Sequence, residues 1–258
     1  MAETEPQLTP EARLRYDRNI RLAQVGEAGQ RRLLESTALV VGAGGLGSAA
    51  ILYLAAAGVG RIRLVESDRL ELSNLNRQVL HRTAGLGRPK AESAAEAVRG
   101  LNPDCRVDIL PERLAAARAR EFVRGADVAL DCTDNFATRF VLADACWAEG
   151  VPLVSAAVLR FEGQLLSVIP AEGSPCYRCL IAEPPPSEVA PTAAQVGILG
   201  AVAGVLGTLQ AVEAIKILAR IGHNMAHRLL VYDGLEGTFR MVRRTRDPEC
   251  PMCGESGK

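Results

Sequence analysis

At 258 residues and 48% hydrophobic side chains, the chain can bury one large core, as a single domain or a domain with an appendage. Its 30 basic and 30 acidic residues cancel, which excludes a bulk electrostatic pull toward nucleic acid or an anionic membrane. The first ten residues are polar and acidic, without a targeting pattern. The longest apolar run, 196–209, is too short and too glycine-rich for a membrane span, so a cytoplasmic protein is expected.

The stretch 9–35 reads as two helical segments. Thr9-Pro10 is a good helix start, with Thr9 as cap and Pro10 in the first turn. Arg15-Tyr16-Asp17-Arg18 lies between the segments, where arginines ordinarily form a solvated face. Residues 38–58 are the centre of the chain. Leu39-Val40-Val41 reads as a buried strand. Gly42-Ala43-Gly44-Gly45-Leu46-Gly47 follows as a glycine turn, and an Ala/Leu-rich helical run ends near Gly58. Gly42 permits the tight turn, Gly44 and Gly45 let backbone N–H groups approach phosphate, and Gly47 lets the helix lie close to the strand. The helix N-terminus adds unpaired N–H groups and a positive dipole end. These glycines alone fit NAD or FAD as well as ATP.

A second strand, 61–65, leads to Glu66 and Asp68, where an acceptor for ribose hydroxyls belongs. Ser73-Asn74-Leu75-Asn76-Arg77-Gln78 lacks helix or strand periodicity but is dense in donors. Gly87-Arg88-Pro89-Lys90 delivers a lysine to the start of a helix that ends at Gly100, an arrangement that suits phosphates or is a plain turn. A strand at 106–110, a helix at 114–124 and a strand at 128–131 follow, then Asp131-Cys132-Thr133-Asp134-Asn135. A carboxylate at the C-terminal end of a parallel strand faces the ligand crevice. Asp134 is therefore placed for a metal–phosphate complex, and equally placed to cap the next helix, 136–149. With a fifth strand at 153–157, the alternation predicts a doubly wound parallel sheet with right-handed crossovers. The strand at 163–169 has no helix before it, so the sheet continues antiparallel. A Pro- and Ala-rich loop, 182–195, precedes a long helix, 198–220, and strands at 229–233 and 238–242. Gly200, Gly204 and Thr208 form a small-residue stripe that predicts close helix packing, within the core or across a dimer.

Four of the seven cysteines form two C-x-x-C pairs, Cys176/Cys179 and Cys250/Cys253, each beside turn residues. Two such pairs suit a closed tetrahedral zinc site of four thiolates, structural because no coordination position stays open. It would tie the tail back to the middle of the chain. Unrelated thiol pairs or a redox dithiol are the alternatives. Cys105, Cys132 and Cys146 lie in apolar surroundings and read as buried and inert.

The motifs RYDRNI, GAGGLG, SNLNRQ, GRPK, DCTDN, CYRC, GTLQAVEAIK and CPMCG stand in this order from Arg15 to Gly254. In them the chain resembles the ubiquitin-activating superfamily in its bacterial form, the adenylyltransferases of small ubiquitin-like sulfur carriers of the molybdopterin and thiamine pathways. The resemblance implies one α/β domain with a Rossmann-like, doubly wound, largely parallel sheet, an antiparallel C-terminal extension and a zinc-tied tail. Residues 1–36 would be N-terminal helices, 37–157 the nucleotide-binding half, and 158–258 the carrier-binding and zinc half. It implies an ATP site of Gly42, Gly44, Gly45, Gly47, Glu66, Asp68, Ser73, Asn74, Leu75, Asn76, Arg77, Gln78, Lys90, Asp134 and Asn135. Arg18, Arg77 and Lys90 would neutralise the triphosphate, Asp134 would hold Mg²⁺, and Cys176, Cys179, Cys250 and Cys253 would hold zinc. Arg18 matches an arginine that reaches over from a partner subunit, which implies a homodimer. The family usually has aspartate at Glu66.

The implied reaction is attack of the carrier's C-terminal glycine carboxylate, at the end of a Gly-Gly tail, on the α-phosphorus of ATP. A carboxylate is already ionised at neutral pH and needs no general base, which suits a chain with only three scattered histidines, His81, His223 and His227. The work is positioning and charge neutralisation. Two other readings stay open on the residues alone: a nicotinamide- or flavin-dependent oxidoreductase, and a non-catalytic carrier-binding subunit. Family members commonly carry a cysteine about four residues before the glycine matching Gly197. Here that position falls near Ala193, and 182–195 has no cysteine; Thr192 is a poor nucleophile in its place. The enzyme is therefore expected to stop at the acyl adenylate and leave sulfur delivery to a separate donor, a cysteine desulfurase or a rhodanese. No nucleic-acid or membrane partner is expected.

Overall fold

The computed structural model describes residues 8–186 and 193–254. In chain order the elements are α1 (Pro10–Arg15), α2 (Asp17–Ile20), α3 (Gly26–Glu35), β1 (Thr37–Val41), α4 (Gly45–Ala57), β2 (Arg61–Val65), α5 (Lys90–Leu101), β3 (Arg106–Leu110), α6 (Ala116–Val123), β4 (Val128–Asp131), α7 (Phe136–Glu149), β5 (Leu153–Leu159), β6 (Glu162–Val168), α8 (Ala193–Val196), α9 (Gly200–Ala219), β7 (Arg228–Asp233) and β8 (Thr238–Arg243). The strands form one sheet in the order β3-β2-β1-β4-β5-β6-β7-β8. β1 to β5 run parallel, and β6, β7 and β8 add antiparallel. The switch to antiparallel pairing falls where the sequence lacks a helix between strands, because a tight reversal can join only antiparallel neighbours.

Strand alternation divides the core in two. On β1, Ala38 and Val40 point to one face and Leu39 and Val41 to the other. The first face is covered by α4, α5 and α9, and the second by α6, α7 and the cysteine segments. The expected two N-terminal helical segments are three. The Thr9 hydroxyl caps α1 by accepting from the Ala12 N–H at 3.1 Å, as its sequence predicts. The chain then breaks at Tyr16, which is buried and accepts a hydrogen bond from Asn102 Nδ2 at 2.9 Å.

α9 corrects the reading of its apolar run. At 20 residues it is long and apolar enough, by length and composition alone, to cross a membrane. Its hydrophobicity instead serves packing against α3, α4, β4, β5 and β6. The close packing along it is also shifted from the expected stripe. A Cβ on Gly200 would lie 2.4 Å from the Asn76 carbonyl oxygen, and one on Gly207 would lie 2.2 Å from that of Leu46, whereas Gly204 faces open space. Gly200 thus lets α9 touch the donor-rich loop, and Gly207 lets it touch α4.

Candidate active site and cysteine cluster

A cavity of about 1070 Å³ opens at the C-terminal ends of β1 and β4. There the strand order reverses, the place where open α/β sheets bind ligands. Gly42, Gly44, Gly45, Glu66, Asp68, Ser73, Asn76, Arg77, Gln78, Lys90, Asp134 and Asn135 line it. It continues beneath the antiparallel half, along Val158, Leu159, Gln164, Leu165, Tyr177, Leu180 and Leu229.

The glycine turn is held at both its polar atoms. Ala43 N–H donates to Glu66 Oε2 at 2.9 Å, and Asp68 N–H donates to Glu66 Oε1 at 2.7 Å. The Ala43 carbonyl meets His81 Nε2 at 3.0 Å, while His81 Nδ1 meets Ser93 Oγ at 2.9 Å. A carbonyl can only accept, so Nε2 carries the proton and Nδ1 accepts from the Ser93 hydroxyl. Burial pushes the His81 pKa below its ordinary value, which keeps the ring neutral in this role. Two glycines are sterically required. Gly42 has φ +98°, and a Cβ on Gly47 would lie 2.0 Å from the Gly42 carbonyl oxygen. Gly47 therefore sits behind the cavity wall, packing helix on strand.

Lys90 is the first residue of α5, although the positive end of a helix disfavours a cation. Its side chain is 7% exposed and pairs with Asp68 Oδ2 at 3.2 Å. Asp68 thus serves the lysine in this structure. Arg77 folds onto its own loop, donating to the Ser73 carbonyl at 2.9 Å and to Asn76 Oδ1 at 3.1 Å. Gln78 is buried, with Oε1 lacking a partner among the described residues.

The structure places the remaining expected residues as follows. Asn74 and Leu75 are not part of the cavity lining; Asn74 is buried and its Oδ1 accepts from the Glu71 N–H at 3.1 Å, closing a capping box that shapes the loop. The cap of α7 is Asn135, whose Oδ1 accepts from the Thr138 N–H at 2.9 Å, so Asp134 is left exposed on the cavity lining. Arg18, expected to serve a partner's site, does not line the cavity of its own chain. Its side chain is 87% exposed on α2 and bonds to Asp17 Oδ2 at 3.1 Å.

One buried network escaped the sequence reading. Asp131, at the end of β4, is fully buried. Its Oδ2 accepts from Arg139 Nε at 2.9 Å and from Ser155 Oγ at 2.7 Å, and its Oδ1 accepts from the Thr133 N–H and hydroxyl. Burial opposes the Arg139 charge, but Asp131 and a bond to the Tyr177 hydroxyl outweigh it and raise the guanidinium pKa. Arg139 and Tyr177 both line the cavity. The available signal was an arginine inside the otherwise apolar stripe of Phe136–Glu149, one turn from a buried strand-end carboxylate.

The four expected ligand cysteines converge, with all Sγ atoms within 4.8 Å of one another. Cys176–Cys250 is 3.4 Å, Cys179–Cys253 is 3.3 Å and Cys176–Cys179 is 3.9 Å. These separations far exceed an S–S bond of about 2.05 Å. They approach the ~3.8 Å edge of a sulfur tetrahedron with ~2.3 Å zinc bonds. The donor set and its geometry therefore fit zinc. Burial pushes the Cys176 thiol up, and Cys179 up to about 11. Burial also opposes the Cys250 thiolate, but the N–H groups of Cys253 and Met252 and the Cys176 and Cys179 thiols prevail and bring it down to about 7. Cys105, Cys132 and Cys146 are buried, as expected, and burial raises all three thiols, Cys105 to about 12. Of the loop 182–195, residues 187–192, Thr192 among them, lie outside the described residues.

Residues 16–252 match the ThiF family. The chain belongs to the ThiF family. Among ThiF-family relatives, it is 49% identical over 243 residues to the SAMP-activating enzyme E1 of Haloferax volcanii, covering 94% of this chain and 89% of that protein. It is 46% identical over 245 residues to the sulfur carrier protein adenylyltransferase of Thermus thermophilus, covering 93% and 90%. It is 49% identical over 257 residues to the mouse adenylyltransferase and sulfurtransferase MOCS3, covering 97% of this chain and 56% of that protein. The chain thus spans nearly all of the two microbial relatives and about half of the mouse one. In three dimensions it is similar to Escherichia coli MccB bound to MccA-N7isoASN, with a TM-score of 0.83 at 20% identity, over 94% of this chain and 75% of that one. That likeness establishes the shared fold.

Proposed function

We propose that this ThiF-family chain adenylylates the C-terminal glycine carboxylate of a small ubiquitin-like sulfur-carrier protein. The carboxylate attacks the α-phosphorus of ATP, giving the acyl adenylate and releasing pyrophosphate, for sulfur transfer in molybdopterin or thiamine synthesis. The observation that carries this reading is the cavity at the strand switch point, which sets the glycine turn, Arg77 and Lys90 around one space in a chain that shares 46% identity with a sulfur carrier protein adenylyltransferase. A buried lysine at a helix N-terminus is two positive features together, an arrangement that a polyanion completes.

Each residue has a role in this reading. Backbone N–H groups at Gly44 and Gly45, with Ser73, Asn76 and Gln78, bind phosphate oxygens. Arg77 and Lys90 neutralise the triphosphate, and Lys90 exchanges its Asp68 contact for a phosphate. Glu66 keeps its two backbone N–H partners and uses its remaining lone pairs on the ribose hydroxyls. Asp134 is the Mg²⁺ ligand, with Asn135 beside it, and bound Mg²⁺ would supply further charge neutralisation. Arg18 is solvent-facing in one chain and enters the site of a second copy, so the active species is a cytoplasmic homodimer with composite sites. The antiparallel half receives the carrier and its Gly-Gly tail within one domain whose parallel half binds the nucleotide. Zinc in the cysteine cluster would supply structure, not chemistry. Sulfur comes from a separate donor. The test is ATP–pyrophosphate exchange with a panel of Gly-Gly-ended carriers. Exchange dependent on one carrier is expected, and none with any carrier would overturn the reading.

A further inference from the structure

Arg244 immediately follows β8, and both neighbours, Arg243 and Thr245, are exposed. Arg244 itself is 6% exposed. Its guanidinium donates to four backbone carbonyls: Ser167 at 3.0 Å, Ala226 at 3.2 Å, Pro175 at 3.2 Å and Cys176 at 3.0 Å. Among the described residues no carboxylate pairs with it. The carbonyls satisfy its donors but provide no opposite charge. A buried cation in that condition is costly, and interiors keep such groups where a counter-charge offsets them.

The missing charge lies beside it. One of the four carbonyls belongs to Cys176, the first cysteine of the cluster. Four thiolates around one divalent zinc carry a net negative charge, which a buried site must also offset. We propose that Arg244 is the built-in counter-charge of the Cys176, Cys179, Cys250 and Cys253 metal centre. This rests on the zinc reading of the cluster. The same side chain joins the centre to β6 through Ser167 and to the segment before β7 through Ala226. A clamp of that kind works with or without metal, whereas a counter-charge helps only when the thiolates are present. The two roles therefore differ in sign once metal is removed.

The experiment uses the full chain as purified, with R244Q, which keeps amide donors without charge, and R244K, which keeps the charge without the planar fork. Zinc content is measured first, then zinc retention against a chelator, then thermal midpoints of loaded and stripped protein. Wild type should hold about one zinc per chain. R244Q should bind it about 10–100-fold more weakly, the range for partners behind metal ligands, and R244K should keep most of the affinity. Stripped R244Q should be at least as stable as stripped wild type, since the lone buried charge is gone. Equal zinc affinity in R244Q and wild type overturns the proposal. So does an equal loss in R244K and R244Q, or destabilisation of R244Q alike with and without metal, which would leave a clamp only. If stripped protein does not fold, the chelator comparison decides. Wild type without zinc would instead refute the metal reading beneath it.

Discussion

The cavity and the cysteine cluster are built on opposite plans. In the cavity the charged groups are held by temporary partners: Lys90 by an exposed Asp68, Arg77 by its own loop, and Asp134 by nothing that buries it. Each can exchange that contact for a ligand atom. In the cluster all four sulfurs lie within 4.8 Å of one another, three of the pairs at 3.3 to 3.9 Å, and three of the four cysteines are buried. Nothing there is left to exchange. An open site tolerates marginal contacts because its ligand leaves every cycle, while a closed site holds a component of the fold.

The comparison can be broken most sharply at Arg18. Arg18→Ala should reduce carrier adenylation by about 10³–10⁵-fold, the range for arginines acting across an interface. Its melting should be unchanged, because the side chain is exposed. Mixing it with Asp134→Ala should restore activity through one intact hybrid site, and demonstrated heterodimers without recovery would argue against composite sites. Below that in size comes the network between the two sites. Asp131→Ala leaves Arg139 buried without its partner and should cost about 3–5 kcal/mol in denaturant unfolding. Cys250→Ser should abolish stoichiometric zinc and lower the thermal midpoint by less than Asp131→Ala does, because it frees the tail and spares the sheet. Full zinc and an unchanged midpoint would contradict a structural metal.

The smallest effect is a pH slope from His81. Its folded pKa lies below the ordinary histidine value, so the unfolded chain takes up the proton first as pH falls. The stability this neutral ring contributes is complete above about pH 6.5 and is lost as pH falls from there through the folded value. His81→Gln should flatten that slope in thermal midpoints measured from pH 7.5 down to about 5.5.

Much of the molecule was legible from periodicity and punctuation. The strand alternation gave the parallel half, and the missing helix before β6 gave the antiparallel turn. The glycine spacing gave the turn at Gly42, and the two C-x-x-C pairs gave the cluster. The parts that stayed hidden depend on which neighbour a side chain finds in space. Asp134 and Asn135 are adjacent, both can cap a helix and both line the cavity; only backbone geometry gives the cap to Asn135 and leaves the Asp134 carboxylate free of it. Asn74 looked like a ligand group because it sits in a loop of donors, yet its amide closes a capping box. Arg244 is a buried arginine whose acceptors at Ser167, Pro175 and Cys176 lie on distant parts of the chain, and no local pattern marks such a pairing.

Tyr177 belongs to both plans at once. It follows directly on Cys176, its ring meets Phe140 edge to face at 5.3 Å, and it lines the cavity alongside Arg139. The tail and its cysteines therefore act as a clasp that holds one panel of the chamber upright. On the zinc reading of the cluster, protein stripped of metal would present a chamber with that panel unlatched. Ligand binding in the chamber should then weaken when the protein is treated with a chelator beforehand.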